Sequence, residues 1–392
     1  MSDRRIRVLD FRGTYKGGGG PDKTILLSAA SHDKNRFFIL VTYLRDPSDR
    51  EFEIHERAQK LGINYIDVPD ANLFDLSCLL KLKRIIEKHR IHILHAHDDK
   101  TLLYGWALKH ITRNRITIIY TCHSHPMFSK NDFNNTRDYI VAQLRQRTRI
   151  FLIRQFQKPI IAVSKATKKF LADDGIDESL VLYNGIETDY WKRSSGRPTL
   201  RQELNLDDDH RLIGTVARLA PEKDFTTFFK VAKKVHSVFP KARFVIVGDG
   251  VGDELANGRK QASELGLGKI VHFMGHRNDL LDVYASLDIF LMTSIYENMP
   301  NTILEAMSME TPIVSTRVGG VPEMIQDNVH GFLCPPRDHD ALAKHILMLL
   351  TEPDLYNRFR SAARKRVEEK FSFSNRLKKM EAIYSAFAKG GL

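Results

Sequence analysis

The residues best suited to chemistry in the second half of this chain are two cations that follow an apolar run. Arg218 and Lys223 come directly after Leu212–Val216, and five positions separate them. A planar guanidinium and a mobile ammonium together suit a diphosphate. The structural alternative is an ion pair with the neighbouring Glu222.

Two glutamates form a second candidate pair. Glu297 and Glu305 flank the segment Asn298-Met299-Pro300-Asn301. Proline is suited to the first turn of a helix, so we expect Glu297 on the loop before a helix and Glu305 about one turn inside it. Helix capping is the structural alternative for Glu297. The spacing does not make the two carboxylates a glycosidase acid/base pair, which must face each other across a bond.

The first half carries a glycine loop. Gly17–Gly20 follow the first apolar run and precede the helical pattern Lys23–Ala30. Glycines let the backbone approach a ligand closely, and a helix N-terminus offers N–H groups to an anion. Asp22 stands where a P-loop requires glycine, and no acidic partner completes a dinucleotide fingerprint. Phosphate or sugar binding is the favoured interpretation, and a flexible loop is the alternative.

Histidines follow two further runs. His95 and His97 end one, and His123 and His125 come after the next. A metal site, hydrogen bonds to a polar substrate and structural histidines are all compatible with this pattern. We favour substrate binding for His123 and expect no metal, because metal ligands on separate strand ends usually include a group of carboxylates.

Short apolar runs alternate with helical patterns along the whole chain, and these elements must position the candidate residues. Continuous rather than alternating apolar runs indicate parallel sheets that are covered on both faces. The alternation is interrupted once, by the polar stretch Trp191–Asp209. The sequence therefore predicts an α/β fold with two doubly wound, Rossmann-like domains facing across a cleft, with ligands at the carboxyl ends of the strands.

Composition excludes several classes of protein. The 392 residues are 42% hydrophobic and 28% charged, which is globular composition and argues against disorder. No apolar stretch is long enough for a membrane span, and the charged N-terminus does not resemble a signal peptide. Three widely spaced cysteines make a disulfide framework or a zinc site improbable and fit a reducing cytoplasm.

Charge gives a further hint about partners. Lys and Arg number 60 against 48 Asp and Glu, a net charge of +12, and the densest basic stretch is Arg137–Lys169. Such a stretch suits an anionic membrane surface, a phosphorylated substrate or a nucleic acid, and a solvated helix face is the alternative. It lacks the regular aromatic residues of a single-strand binder, and we expect no nucleic acid.

Taken together, these residues resemble family 4 of the retaining GT-B glycosyltransferases. Arg218 with Lys223, followed in register by Glu297-x7-Glu305, is the most specific part of the resemblance. The other parts occur in the family's order over nearly the whole chain: the glycine loop, Thr121–His123, Val163–Lys165, Tyr183–Ile186 and Gly319–Glu323.

The resemblance implies a domain plan. An acceptor-side domain would occupy residues 1–190, a linker 191–209 and a domain that binds the nucleotide sugar 210–370. Residues 371–392 would form a C-terminal helix that crosses back onto the first domain; the helical pattern Phe373–Phe387 matches it.

The resemblance also implies roles for the candidate residues. Arg218 and Lys223 would bind the diphosphate. Glu305 would accept hydrogen bonds from the ribose hydroxyls, and Glu297 would hold the sugar hydroxyls. His123 would contact the sugar near the reacting centre. Gly19 or Gly20 would let the backbone approach the donor or the acceptor. The donor would also contact the backbone of the segment after Glu297, which consists of Asn298, Met299, Pro300 and Asn301. This chain departs from the family at Asn298, where the family often has glycine.

The expected function is therefore transfer of a sugar, with retention of configuration, from a UDP- or GDP-linked donor to an acceptor, without metal or cofactor. We expect same-face attack assisted by the departing phosphate oxygen. The expected acceptor is a lipid-linked or cell-surface saccharide in polysaccharide biosynthesis, and the expected location is the cytoplasm, with peripheral binding to the inner face of the membrane. A sugar-nucleotide 2-epimerase of the same architecture and a basic nucleic-acid-binding protein are the alternatives.

Overall fold

The computed structural model describes residues 4–14, 18–50, 52–70, 74–112, 116–123, 136–155, 159–250 and 252–388. The chain forms two compact units. Unit 1 comprises Met1–Tyr183 together with Arg376–Leu392, and unit 2 comprises Asn184–Asn375. Each unit is an α/β structure built on one parallel sheet, so the predicted fold class is confirmed.

Unit 1 contains a seven-stranded sheet with the order β3-β2-β1-β4-β5-β6-β7, and all neighbouring strands run parallel. The strands are β1 Ile6–Gly13, β2 Phe37–Arg45, β3 Asn64–Pro69, β4 Ile93–Ala96, β5 Thr117–Cys122, β6 Ile160–Ala162 and β7 Ser179–Val181. The helices are α1 Gly20–Ser31, α2 Ile54–Lys60, α3 Leu76–Lys88, α4 Asp99–Ile111, α5 Thr136–Gln155 and α6 Lys165–Asp173.

Both faces of this sheet are buried. Successive residues of a strand point to opposite faces, and in β4 Ile93 belongs to one apolar cluster while Leu94 belongs to another. Val8 and Leu9 of β1 divide in the same way. This arrangement explains why the strands appear in the sequence as continuous apolar runs.

Unit 2 contains a six-stranded parallel sheet with the order β10-β9-β8-β11-β12-β13. The strands are β8 Arg211–Val216, β9 Ala242–Val247, β10 Val271–Gly275, β11 Ile289–Met292, β12 Ile313–Thr316 and β13 Phe332–Cys334. The helices are α7 Thr199–Glu203, α8 Phe225–Val238, α9 Glu254–Glu264, α10 Leu280–Ser286, α11 Asn301–Ser308, α12 Val321–Met324, α13 His339–Thr351 and α14 Pro353–Lys370; 3₁₀ turns cover Arg193–Ser195 and Pro221–Lys223. Helix α15, Phe373–Ala388, begins in unit 2 and continues into unit 1.

The stretch predicted as a linker, Trp191–Asp209, lies within unit 2 and not between the units. It includes α7, where Leu200 is fully buried. The Arg201 guanidinium lies 3.0 Å from the Asp288 carboxylate just before β11. The chain passes from one unit to the other at Tyr183–Asn184, before the polar stretch begins, because these buried contacts hold that stretch on unit 2.

Helix α15 returns the chain to unit 1, whose second segment begins at Arg376. The Glu381 carboxylate accepts a hydrogen bond from the backbone N–H of Asp33, at 3.0 Å. Tyr384 is buried among the apolar residues of unit 1. The predicted C-terminal helix is therefore present, and it completes one face of the first sheet.

Cys78, Cys122 and Cys334 are buried and free. Among the described residues, none of the helices combines the length and the apolar character that crossing a membrane requires.

Candidate active site

The predicted donor-binding residues of unit 2 lie where the strand order of its sheet reverses. The chain runs outward from β8 through β9 to β10, then returns to β11 on the other side of β8. In open parallel sheets, ligands bind at the carboxyl ends of the strands at such a reversal. Lys223 follows β8 and Glu297 follows β11, so the structure brings these two predicted residues to one place.

The Lys223 ammonium lies 2.6 Å from Oε1 of Glu297. The Ser294 hydroxyl donates to the same oxygen at 2.9 Å. Both charged side chains are mostly buried, with exposed fractions of 20% and 12%. The expected alternative, an ion pair with Glu222, is not formed by Lys223, which pairs with Glu297 instead. Nor is Glu297 a helix cap: its carboxylate contacts the lysine and the serine.

Arg218 lies on the backbone segment after β8, which pairs with the end of β9. The backbone N–H of Leu219 donates to the Asp249 carbonyl at 2.8 Å. Gly248 has a φ of +142°, and a Cβ there would lie 2.1 Å from the carbonyl oxygen of Ala217, so this position requires glycine. The Arg218 side chain is exposed, and it forms no ion pair with any residue that the structure describes.

The loop between Glu297 and α11 is held from two sides. Nδ2 of Asn184 donates to the Met299 carbonyl and to Oδ1 of Asn301, each at 3.0 Å. The Gly320 N–H donates to the Asn298 carbonyl at 3.0 Å. Pro300 is the N-cap residue of α11, one position before the first turn in which it was expected.

Asn298 does not adopt a positive φ, so a side chain is compatible with this position and glycine is not required.

A close approach of two backbones fixes this loop. Gly319, after β12, has a φ of +49°, and a Cβ built there would lie 1.5 Å from the carbonyl oxygen of Glu297. Only glycine allows such an approach. The glycine pair noted in the sequence therefore shapes the loop that carries Glu297.

Glu305 lies in the second turn of α11, as predicted, and it is 3% exposed. The Tyr284 hydroxyl donates to its Oε2 at 2.9 Å. Burial, and next the charge of Glu305, raise the pKa of Tyr284 well above its ordinary value, so the phenol remains a donor at every physiological pH. Tyr284 was not identified from the sequence, since nothing in its neighbourhood distinguishes it from a core tyrosine.

The Asp22 side chain holds the glycine loop of unit 1 through hydrogen bonds. Helix α1 begins at Gly20, earlier than the predicted Lys23, so Gly20 belongs to the helix and Gly19 is its N-cap residue. The Asp22 carboxylate accepts from the Gly19 N–H at 2.6 Å and from the Tyr43 hydroxyl at 2.7 Å. The Arg12 guanidinium lies 2.8 Å from it. The loop residues Lys16 and Gly17 lie outside the described residues.

His123 directly follows β5, and His97 directly follows β4, its neighbour in the sheet. Nε2 of His123 lies 2.9 Å from Nδ1 of His97, and Nε2 of His97 lies 2.5 Å from Oδ1 of Asp10 in β1. Asp10 was not identified from the sequence, although a carboxylate directly after the first apolar run was a signal that could have found it. His125 lies outside the described residues.

His95 is a structural histidine. Its Nδ1 contacts the Tyr384 hydroxyl at 2.8 Å, and its Nε2 contacts the Thr121 hydroxyl at 2.7 Å. Asp10, His95 and His97 each offer one ligand atom within 4.8 Å of the others, a spacing that a metal ion could use. Both ring nitrogens of each histidine already have hydrogen-bond partners.

Two family models match this chain, one for each half. The model "Glycosyltransferase Family 4" matches residues 26–190, and the model "Glycosyl transferases group 1" matches residues 196–366.

Several characterised proteins are similar over most of their length. UDP-Gal:alpha-D-GlcNAc-diphosphoundecaprenol alpha-1,3-galactosyltransferase of Escherichia coli is 24% identical over 79% of both chains. The capsular polysaccharide biosynthesis glycosyltransferase CapM of Staphylococcus aureus is 25% identical over 82% of this chain and 83% of its own.

A solved structure extends the likeness to the fold. HepE of Anabaena, crystallised with UDP-glucose, has a TM-score of 0.83 and 22% identity, covering 97% of this chain and 100% of its own. This likeness supports the same two-domain architecture.

Proposed function

Because the chain belongs to family 4 of the GT-B glycosyltransferases, we propose that it moves a sugar from a UDP-linked donor to a lipid-linked saccharide, with retention of configuration and without a metal ion. That it is a glycosyltransferase using a nucleotide sugar is the premise. The proposal concerns the base, the acceptor, the stereochemistry and the source of charge stabilisation.

The pairing of Lys223 with Glu297 at the reversal of the strand order carries the proposal. Negative charge develops on the diphosphate as the anomeric C–O bond breaks, and a preorganised cation stabilises that charge. In this assignment Lys223 and the exposed Arg218 contact the diphosphate, and Glu297 accepts hydrogen bonds from sugar hydroxyls. The backbone N–H groups of Asn298, Met299 and Asn301 add donors, and Glu305 accepts from the ribose. Pro300 has no N–H and contributes the fixed backbone of the loop.

Retention needs no covalent intermediate in this scheme. The acceptor hydroxyl attacks the anomeric carbon on the face that the diphosphate leaves, and its proton passes to the departing phosphate oxygen. His123 hydrogen-bonds the sugar near the reacting centre, and Gly19 and Gly20 let the backbone approach donor or acceptor. The two cations supply the charge that a metal would otherwise supply, which is the argument for metal independence.

The choice of UDP rests on two relatives. The E. coli enzyme is named for UDP-Gal, and HepE was crystallised with UDP-glucose. The E. coli name also specifies a diphosphoundecaprenol acceptor, which supports a lipid-linked saccharide for this chain.

An exposed face of α5 supports binding at a membrane surface. Ile140, Leu144 and Phe151 are each more than half exposed. They share the helix with Arg145 and Arg147, whose side chains are also exposed. Exposed apolar side chains flanked by arginines are typical of a helix that lies on an anionic lipid surface. They fit this interpretation better than the alternative of a solvated helix face. Lys158 of the basic stretch lies outside the described residues.

A thermal-shift panel of nucleoside diphosphates and their sugars tests the donor, because a ligand that binds only the folded state raises the melting temperature. We expect UDP and one UDP-sugar to give the largest shifts, with no loss in EDTA. Proton NMR of the transferred sugar then reports the anomeric configuration. An inverted product, a requirement for a divalent ion, or a 2-epimer formed without acceptor would each contradict the proposal.

Co-sedimentation tests the membrane surface. We expect the protein to pellet with vesicles that contain phosphatidylglycerol, to remain in solution with phosphatidylcholine, and to be released by high salt. Replacing Arg145 and Arg147 with glutamate should abolish pelleting. Equal binding to both kinds of vesicle would contradict an electrostatic attachment.

A further inference from the structure

A buried line of hydrogen bonds runs beneath His123 at the carboxyl edge of the sheet of unit 1. It joins Oδ1 of Asp10 to Nε2 of His97, at 2.5 Å, and Nδ1 of His97 to Nε2 of His123, at 2.9 Å. The three residues come from β1, from the end of β4 and from the end of β5, which are adjacent in the sheet. The order of the strands of unit 1 reverses between β1 and β4, as it does between β8 and β11 in unit 2.

Burial determines the charge of the imidazole rings of His97 and His123. Asp10 is 3% exposed and His97 is 4% exposed. Desolvation lowers the pKa of His97 and of His123 well below the ordinary histidine value. Both imidazoles are therefore neutral at neutral pH, and each carries a single N–H.

Titratable groups on four elements of unit 1, α1, β1, β4 and α15, face this line. Arg376 of α15 and His32, at the end of α1, act on Asp10, as does His95 of β4. Arg12 of β1 acts on both His97 and His123, and Asp22 of α1 acts on His97. Burial raises the pKa of Asp10, and the buried Arg376 guanidinium opposes that shift. His95 is neutral, so Arg376 is the permanent cation that faces the carboxylate, and its charge stabilises the ionised form of Asp10.

Counting protons then fixes the direction of every hydrogen bond. An ionised Asp10 has no proton, so Nε2 of His97 donates to it. Nδ1 of the neutral His97 has no proton either, so it accepts from Nε2 of His123. Nδ1 of His123 is left with a lone pair and no proton. Had Asp10 carried a proton, both hydrogen bonds would run in the opposite direction and Nδ1 of His123 would carry a proton.

We propose that Asp10 and His97 are positioning residues that hold His123 in the tautomer whose Nδ1 accepts a hydrogen bond, so that this nitrogen receives a sugar hydroxyl. The inference about the sugar rests on the function proposed above, whereas the inference about the tautomer does not. The hydrogen bond made by one ring nitrogen determines which of the two is protonated, and the orientation of the ring follows from it.

The same groups suggest a competing occupant. Asp10, His95 and His97 have the spacing of metal ligands, but a metal would have to displace one hydrogen bond of each histidine. The bonds of His95 are to Tyr384 and Thr121, and those of His97 are to Asp10 and His123. A bound metal is therefore an outcome that the experiment must be able to report.

The direct test is ¹⁵N NMR of the full chain labelled at histidine, since the nitrogen shift distinguishes a protonated ring nitrogen from a bare one. In the wild-type protein we expect His123 to carry its proton on Nε2. A proton on Nδ1 would overturn the proposal, whatever the protein's activity. This measurement needs no substrate and no variant.

Two matched variants extend the test. His97→Phe removes both nitrogens beneath His123 while keeping a ring, and His123 should then become a mixture of tautomers. His95→Phe removes a ring of similar burial two positions earlier, with no hydrogen bond to His123, and should leave the tautomer unchanged. Identical His123 spectra for His97→Phe and wild type would also overturn the proposal.

Kinetics with the donor found by thermal shift give a second readout. We expect His97→Phe to reduce kcat by about 10- to 100-fold, the size usual when the partner that orients a functional histidine is removed. The dissociation constant of UDP should not change, because the residues assigned to the diphosphate belong to unit 2. His95→Phe should keep most of kcat, since it leaves the bond between His97 and His123 in place.

Failures of the two proposals are distinguishable. A chain that binds no nucleotide sugar but shows the Nε2 tautomer would contradict the proposed donor alone. An active chain with a proton on Nδ1 would contradict the positioning role alone. Stoichiometric metal in the purified protein, with loss of activity on chelation, would replace the hydrogen-bonded line by a metal centre and overturn the proposal.

Discussion

The Lys223 ammonium and the Glu297 carboxylate lie 2.6 Å apart although 74 residues separate them in the chain. One follows β8 and the other follows β11, the two strands between which the sheet order reverses. The pair joins the cation assigned to the diphosphate to the carboxylate assigned to the sugar. A change at either residue is therefore expected to act on the other.

Replacing Lys223 with alanine should reduce kcat by about 100- to 1000-fold, the usual effect of losing one preorganised contact to developing charge. The fold should survive, since the Glu297 carboxylate keeps its hydrogen bond from the Ser294 hydroxyl. The measurement is steady-state transfer, with the melting temperature as a check on folding. Lys234→Ala is the matched control, because Lys234 pairs with Asp340 on the surface of the same unit. Full activity of Lys223→Ala would exclude the diphosphate role.

Arg218 differs from Lys223 in having no ion-pair partner among the described residues. Arg218→Ala should therefore leave the unfolding free energy unchanged within about 0.5 kcal/mol, while raising the dissociation constant of the nucleotide diphosphate. Isothermal titration and urea denaturation measure the two quantities. Arg218→Lys separates charge from geometry: if the planar fork matters, the lysine variant recovers only part of the affinity. Unchanged affinity in the alanine variant would remove Arg218 from the donor site.

Tyr284 gives a test of Glu305 that leaves the carboxylate itself intact. Tyr284→Phe removes the hydroxyl that donates to Oε2 of Glu305, and leaving a buried charged acceptor short of a donor costs about 1–3 kcal/mol. We expect lower stability in urea and a weaker affinity for UDP. Tyr65→Phe is the control, because the buried Tyr65 hydroxyl has no partner among the described residues. A neutral effect of Tyr284→Phe on both quantities would contradict the ribose role.

The sequence predicted the elements well because most of them rest on local patterns. The apolar run Leu212–Val216 lies within β8, and the helical pattern Phe373–Phe387 lies within α15. Both faces of each sheet are covered, so a strand appears as an unbroken apolar run whatever its neighbours are. Such a pattern does not depend on knowing what the strand packs against.

What the sequence could not predict depends on contacts between distant segments. Asp10 matters because β4 lies next to β1 in the sheet, and Tyr284 matters because its hydroxyl reaches Glu305 on another helix. Neither contact can be derived from a local pattern. The polar stretch Trp191–Asp209 was interpreted as a linker from its composition. In the structure the stretch belongs to unit 2, because Leu200 is buried there and Arg201 forms an ion pair with Asp288. These two contacts hold the stretch on unit 2 although most of its residues are polar.

Gly319 offers a test of the loop that carries Glu297. A methyl group there would meet the Glu297 carbonyl oxygen at 1.5 Å, in a backbone with a φ of +49°. Gly319→Ala should destabilise the fold by more than the roughly 1–2 kcal/mol that positive φ alone costs, and it should abolish transfer. Gly266→Ala is the matched control, since Gly266 has a φ of +74° with nothing within 4 Å of the added carbon. Equal losses in urea would show that the close approach has no influence.

The buried histidines of unit 1 should make the protein sensitive to mild acid. Desolvation lowers the pKa of His95, His97 and His123 well below the ordinary value. The folded chain therefore binds fewer protons than the unfolded chain below about pH 6.5, where free histidine titrates. Stability should fall as pH decreases through that range, by at most about 1.4 kcal/mol per pH unit for each such histidine.

Asp10 has the opposite effect on the pH dependence of stability, and at lower pH. Burial raises its pKa, so the folded state binds the proton of this carboxyl group more tightly than the unfolded state does. Urea denaturation between pH 8 and pH 5 measures the sum of these effects. His95→Phe removes one of the three histidines and should reduce the slope below pH 6.5. A stability that does not change between pH 7 and pH 5, or a slope that His95→Phe leaves intact, would mean that these rings take up protons in the folded protein.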